Sequence, residues 1–291
     1  MFDYMELSKY PHSVSSGEAM AGTIDTDDAG PKGQGTGTLG KAVATLALVA
    51  EAEQPLRFTD VLALSGEPRG TLHRQLSHLV EEGLLDLDRN QCYVPGLRLL
   101  KFASLAWARN EVRLLAEPHL KALHRMTGET VHFAVLRGAQ VVYLDKVEGR
   151  QSVRMYSEVG KVSPVHCTGV GKAALSALPD AVLQERIAGL EFQVFTAQTH
   201  ATAAALMADI ATIRREGVAY DRQEHEDGIH CVAAPVRSGD RSLVAAISVT
   251  APVYRISMQQ LVDWAEPVRA AAGNIDESLR FGLGPHAGAP L

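Results

Sequence analysis

Apolar side chains recur at spacings of three and four over residues 39–52, where Leu39, Val43, Leu46, Val49 and Ala50 trace the stripe of an amphipathic helix. A short second helix fits residues 59–64, with Thr59 as its N-cap and Gly66 ending it. A third opens at Glu67-Pro68, because proline is favoured in a first helical turn, and runs to Glu82 before Gly83 stops it. On that helix Leu72, Leu76 and Leu79 share one face, while Arg69, His73, Ser77, Arg74 and His78 look outward. Residues 84–87 and 91–94, joined by Asp88-Arg89-Asn90, then read as a hairpin. Three helices and a two-stranded hairpin predict a winged helix-turn-helix.

Beyond Pro95-Gly96 the pattern changes. Residues 97–108 are helical but apolar on most sides, with Leu97, Leu100, Ser104 and Trp107 on one face and Leu99, Phe102, Leu105 and Ala106 on another, so this helix needs a packing partner. A further helix fits 114–126 and ends at Gly128. Strand patterns at 130–136 and 141–147 are joined through Arg137-Gly138-Ala139-Gln140, and an edge segment at 153–156 and a short run at 162–167 lead into a helix starting near Gly171. Helices over 179–188 and 203–216 precede a second hairpin, 231–237 with 243–250, turning at Ser238-Gly239-Asp240. The last helix opens with the capping box Ser257-x-x-Gln260 and directs Leu261, Trp264, Val268, Ala271 and Ile275 inward. The second domain is therefore predicted to be α+β, with a mostly antiparallel sheet.

Composition narrows the classes. A length of 291 residues suits two domains, and 46% hydrophobic with 21% charged residues is ordinary globular usage. The longest nearly apolar stretch, residues 42–50, is too short to span a bilayer, so no membrane partner is expected. Asp3 and Glu6 stand where a secretory signal would be basic, and the three scattered cysteines, Cys92, Cys167 and Cys231, predict no disulfide framework and a cytoplasmic setting. Residues 1–37 carry six glycines and six acidic against two basic side chains, which reads as a disordered tail holding most of the net charge of −6. Residues 284–291 read as a second flexible tail. Two nucleotide motifs fail on context. Gly35-Thr36-Gly37-Thr38-Leu39-Gly40 lacks a preceding strand, and Gly169-Val170-Gly171-Lys172 has His166 and Ala173 where a P-loop needs glycine and a hydroxyl residue. No cofactor is expected.

Several segments together resemble the IclR-type bacterial transcription regulators. They are Pro68-Arg69-Gly70-Thr71-Leu72-His73-Arg74, Gly128-Glu129-Thr130-Val131-His132, Val142-Tyr143-Leu144-Asp145-Lys146-Val147-Glu148-Gly149, Gly169-x-Gly171-Lys172-Ala173 and Cys231-Val232-Ala233-Ala234-Pro235-Val236, in one order between residues 39 and 283. The resemblance implies a winged helix-turn-helix DNA-binding domain over 38–95, a linker helix over 96–110 used in dimerisation, and a GAF/PAS-like effector-binding domain over 111–283. It implies a repressor of a catabolic operon, acting as a homodimer or homotetramer on double-stranded operator DNA. Arg69, Thr71, His73 and Arg74 stand where base and phosphate contacts are expected. Residues 38–110 hold eight basic and eight acidic side chains, so a single neutral module should bind DNA weakly and the oligomer should be the binding species.

Resemblance to the glyoxylate-responsive branch of the family places Gly169, Val170, Gly171, Asp221, Cys231, Ser248 and Thr250 around a small organic acid or related carbonyl compound, with Met155 and Tyr156 as an apolar wall. Glycines just before a helix start suit a carboxylate, and Ser248 and Thr250 share a strand face by their spacing of two. Bland readings stand beside these. Cys231 in an apolar strand is a small buried residue, His166 a satisfied polar group, the glycines a turn, and the outward residues of the third helix a solvated face. Cys231, His166, His225 and Asp221 can also be written as nucleophile, base and orienter, but the apolar neighbours of Cys231 argue against a reactive thiol, and no enzyme is expected. A zinc site from His166, Cys167, His225, His230 and Cys231 lacks any structural-zinc spacing. The alternative function is a small-molecule sensor or metal-binding protein that does not bind DNA.

Overall fold

The computed structural model describes residues 37–150, 157–237 and 243–281. The expected tails, the edge segment at 153–156 with Met155 and Tyr156, and the turn at Ser238-Gly239-Asp240 lie outside the described residues.

The helix-turn-helix comprises α1 (Gly37–Ala50), α2 (Phe58–Ser65) and α3 (Arg69–Glu81), followed by the antiparallel pair β1 (Leu85–Leu87) and β2 (Tyr93–Pro95). Leu72, Leu76 and Leu79 of α3 pack with Val49, Val61 and Leu85 into one small core. The α1 stripe differs from the expected one. Leu39 and Val43 are 77% and 54% exposed, and the inward face is built on Thr45 and Val49. A polar residue can take that place because the Thr45 hydroxyl lies 2.9 Å from Gln75 Oε1, an acceptor on the facing helix. The α2 N-cap is Arg57 instead of Thr59, and its free amide donates to Asp60 in the first turn at 2.8 Å. Gly66 and Gly83 take left-handed φ values of 65° and 66°, as the stop signals at the ends of α2 and α3 require. The hairpin strands are shorter than expected, because the Asp88 carboxylate accepts the amides of Asn90 and Cys92, each at 2.8 Å, and so holds residues 88–92 as a turn.

Next come α4 (Leu97–Ala108), in which no residue is buried, and α5 (Glu111–Thr127). The sheet has six strands, β3 (Thr130–Arg137), β4 (Gln140–Val147), β5 (Val162–Pro164), β6 (Ala219–Arg222), β7 (Ile229–Arg237) and β8 (Val244–Pro252), in the order β5-β4-β3-β8-β7-β6 and antiparallel throughout. Helices α6 (Gly169–Ser176), α7 (Asp180–Ala188) and α8 (Ala203–Glu216) cover one face, and α5, α9 (Met258–Asp263) and α10 (Ala265–Phe281) cover the other. Cover on both faces makes β3, β7 and β8 read as nearly continuous apolar runs. The Ser257–Gln260 capping box is present, with Ser257 N donating to Gln260 Oε1 at 2.8 Å. The last helix is two helices instead of one. Pro267 has no N–H for the preceding turn, so the chain breaks at Trp264 and restarts.

Candidate functional site

On α3, Arg69, His73 and Arg74 are exposed and Thr71 is half-buried, apart from the buried set Leu72, Gln75, Leu76 and Leu79. Phe58 at the start of α2 orients two of them: the Arg69 guanidinium lies 5.3 Å from its ring centroid, and the His73 ring meets it edge-on at 5.9 Å. Stacking of this kind holds a cation's direction without neutralising it, at about 0.5–1 kcal/mol on an exposed surface. The first turns of α3 thus present a donor-rich face of the kind that reaches base edges.

A small cleft with about 70 Å³ of room opens where α6 and the loop after β6 meet the sheet, space for a ligand of only a few heavy atoms. Strand register assembles its floor. Asp221 pairs with Cys231, Cys231 with Thr250, and His132 with Ser248, so residues far apart in the chain lie side by side. Gly169, Val170, Asp221, Cys231, Ser248 and Thr250 all line the cleft.

Gly171 does not. The helix begins at Gly169, two residues earlier than expected, because the Thr168 side chain caps it by accepting the Gly171 amide at 3.2 Å. A Cβ on Gly171 would fall 2.5 Å from Val165 Cα, so this glycine serves close packing and its amide is committed to the cap. Gly169 also packs tightly, since a Cβ there would sit 2.3 Å from Cys231 Sγ, yet it borders the cleft.

The lining also includes His132, Tyr143, Lys161, Ser163, Thr168 and His225, which the sequence reading did not place there. The His132 ring is fully enclosed, with Nε2 2.7 Å from Ser157 Oγ and Nδ1 3.2 Å from Thr250 Oγ1. Burial, aided by the positive charge of Lys146, pushes its pKa down to about 3, so it stands neutral. Burial raises Tyr143 to about 12. It also raises the Asp221 carboxyl to about 7, with nearby Glu224 adding to the rise, although Asp221 Oδ1 accepts the Glu224 amide at 2.7 Å. The floor is therefore a set of neutral hydroxyl, imidazole and thiol groups around one carboxyl that titrates near neutrality.

That environment disposes of the nucleophile arrangement. Burial pushes both the Cys231 and Cys167 thiols up, which removes thiolate at neutral pH. His166 instead places Nε2 2.9 Å from the Gln193 carbonyl and packs against Phe192 and Phe195. The zinc set from His166, Cys167, His225, His230 and Cys231 is not assembled either. Among the described residues the one convergent donor group is His200, Asp209 and Glu224, behind the cleft.

A winged helix-turn-helix joined to a sheet domain with an open-mouthed cleft is the architecture of a DNA-binding transcriptional regulator. Residues 38–89 match the IclR helix-turn-helix domain and residues 105–277 match the bacterial transcriptional regulator IclR C-terminal domain, and the chain belongs to the IclR family. It is 32% identical over 242 residues to the HTH-type transcriptional regulator XynR of Escherichia coli K12, covering 83% of this chain and 96% of XynR. It is 30% identical over 266 residues to the HTH-type transcriptional regulator BhcR of Paracoccus denitrificans, covering 91% of this chain and 92% of BhcR. The crystal structure of a putative IclR transcriptional regulator from Silicibacter sp. TM1040 superposes with a TM-score of 0.71 at 29% identity, over 84% of this chain and 96% of that one. These relatives are regulators and not enzymes. Among the described residues no helix is long and apolar enough to cross a membrane.

Proposed function

We propose that this chain is a cytoplasmic, effector-responsive repressor of a catabolic operon. It reads double-stranded operator DNA through residues 38–95, with Arg69, Thr71, His73 and Arg74 as contacts. It senses a small organic acid or related carbonyl metabolite through residues 111–283. The observation that carries the sensing role is the cleft floor, where Ser248, Thr250, Asp221 and Cys231 converge from three strands beneath the start of α6. The Val170 amide and the dipole at the start of α6 suit a carboxylate, and Lys161 adds positive charge at the mouth. A carboxyl that titrates near pH 7 both accepts and donates, so Asp221 favours a hydroxyl or carbonyl at the far end of the ligand over a second carboxylate.

Residues 96–110 join copies into a homodimer or homotetramer. Leu97, Leu100, Phe102, Leu105 and Trp107 of α4 are all exposed, and Leu97 and Leu100 reach 78% and 67%. A helix this apolar excludes water only against another copy. The sensing role is tested by thermal shift against a panel of short 2-oxo and 2-hydroxy acids, because a ligand at 100 times its Kd adds about 2.7 kcal/mol to stability. If no acid in the panel raises the Tm, or if those that do bind equally well to Ser248→Ala and Cys231→Ala, the cleft is not the sensor.

A further inference from the structure

Lys172 follows the two glycines that the P-loop pattern singled out, yet it faces away from the cleft and is fully buried. Its Nζ donates to Asp209 Oδ2 at 2.7 Å, to both Glu224 carboxylate oxygens at 2.6 Å and to the Tyr220 carbonyl at 2.8 Å. The His200 ring closes the cluster from its outer side, with Nε2 3.1 Å from Asp209 Oδ2 and 3.5 Å from Glu224 Oε2. Burial works to raise the Asp209 carboxyl, but the His200 and Lys172 contacts outweigh it and hold Asp209 at about 2. An imidazole and two carboxylates whose donor atoms lie within 4.8 Å of one another form a ligand set of the type that takes a divalent metal. Here the lysine's own ammonium makes the contacts that such an ion would make with the two carboxylates.

The consequence lies on the other side of Glu224. Its backbone amide donates to Asp221 in the cleft, and its carbonyl accepts the Thr199 hydroxyl at 2.6 Å. Lys172 stands one turn from Gly169, so α6 supplies one wall of the cleft through Gly169 and grips the opposite wall, residues 221–226, through Lys172.

We infer that Lys172 is a positioning residue of the cleft, an internal cation that fixes Glu224 and, through it, the Asp221 carboxyl and the loop bearing His225. This rests on the proposed sensing role of the cleft, and the test separates the two. Full-length wild type, Lys172→Met and Lys172→Ala are compared by amide hydrogen exchange and Co²⁺ titration. In Lys172→Met, amides 222–226 should exchange at least tenfold faster while β7 and β8 amides stay as in wild type. Lys172→Ala should take one Co²⁺ per chain, with the visible absorption of a His/carboxylate site and recovery of slow exchange at 222–226, and wild type should take none.

Unchanged exchange at 222–226, or acceleration spread equally over the whole sheet, overturns the inference. So does Co²⁺ that binds Lys172→Ala without restoring protection. If Lys172→Met does not fold, Asp209→Asn, which keeps the lysine and weakens one contact, must still loosen 222–226 selectively. Glyoxylate calorimetry then divides the two ideas. If Ser248→Ala weakens glyoxylate binding and Lys172→Met does not, the positioning role fails and the sensor site stands. If neither changes binding, the sensor reading fails, and the exchange data alone decide whether Lys172 holds the loop.

Discussion

The helix-turn-helix lobe and the sheet domain are built on opposite plans. In the first, the residues proposed to contact DNA lie within one stretch of one helix, all but the half-buried Thr71 exposed, and set apart from a core of Val49, Val61, Leu72, Leu76, Leu79 and Leu85. In the second, the cleft gathers residues from position 132 to position 250, and the floor residues His132, Asp221, Cys231, Ser248 and Thr250 are all buried. An exposed reading face can be altered without touching the fold. A buried polar floor is less tolerant, because each group left there must keep a hydrogen-bond partner.

The contrast can be broken or sharpened by substitution. The largest effect is expected from Leu105→Glu with Trp107→Glu on α4. Losing the partner copy removes avidity, so operator binding should fall by about 10²- to 10⁴-fold, with smaller particles by light scattering. A wild type that is already monomeric at micromolar concentration would defeat this expectation. Arg69→Ala with Arg74→Ala should cost on the order of 1 to 3 kcal/mol per lost base contact and abolish the footprint, leaving thermal shifts by bound acids intact. An unchanged footprint would show that α3 is not the reading helix.

Ser248→Ala is expected to weaken acid binding by about 1 to 3 kcal/mol in calorimetry, with operator binding in the absence of acid preserved. A further effect is a pH slope. The folded-state pKa of Asp221 is raised to about 7 from 3.8, so the folded chain holds a proton that the unfolded chain releases. Stability from this group is complete below pH 3.8 and is lost as pH rises through 7, by up to about 1.4 kcal/mol per pH unit. His132 runs the other way. Its pKa is depressed from 6.5 to about 3, so its contribution is present above 6.5 and lost as pH falls. Denaturant titrations of Asp221→Asn against wild type isolate the first slope; parallel curves from pH 4 to pH 7 would mean that Asp221 is ionised throughout.

The same contrast explains what was legible in the sequence. Elements bounded by local chemistry were readable: α8 runs from a Thr202 cap to Gly217 at φ 74°, and α4 follows directly from its pattern. Elements decided by distant partners were not. The short strand β6 exists through its pairing with β7 and carries no periodicity of its own. α6 starts two residues before the expected Gly171, because Gly169 and Gly171 read as loop residues by sequence, whereas both are required by close contacts with Cys231 and Val165. His132 and Tyr143 sit in apolar strands, and only the register with β8 and the packing of the loop before β5 bring them to the cleft. Family likeness supplied Asp221, Cys231, Ser248 and Thr250. Periodicity could not have done so.

The ends of α4 have a mechanical consequence. At its start, Gly96 lies so close to the end of α3 that a Cβ would come within 2.3 Å of the Gly83 carbonyl oxygen, and Gly96 N and Arg98 N donate back to Leu84 O and Gly83 O at 2.9 and 3.3 Å. At its other end, Trp107 Nε1 donates to the Leu144 carbonyl of β4 at 3.0 Å. The helix is thus keyed at both ends, like a drive shaft between two couplings. Gly83, next to the end of α3, and Leu144, in β4, are thereby linked through a single helix that makes a direct contact at each end.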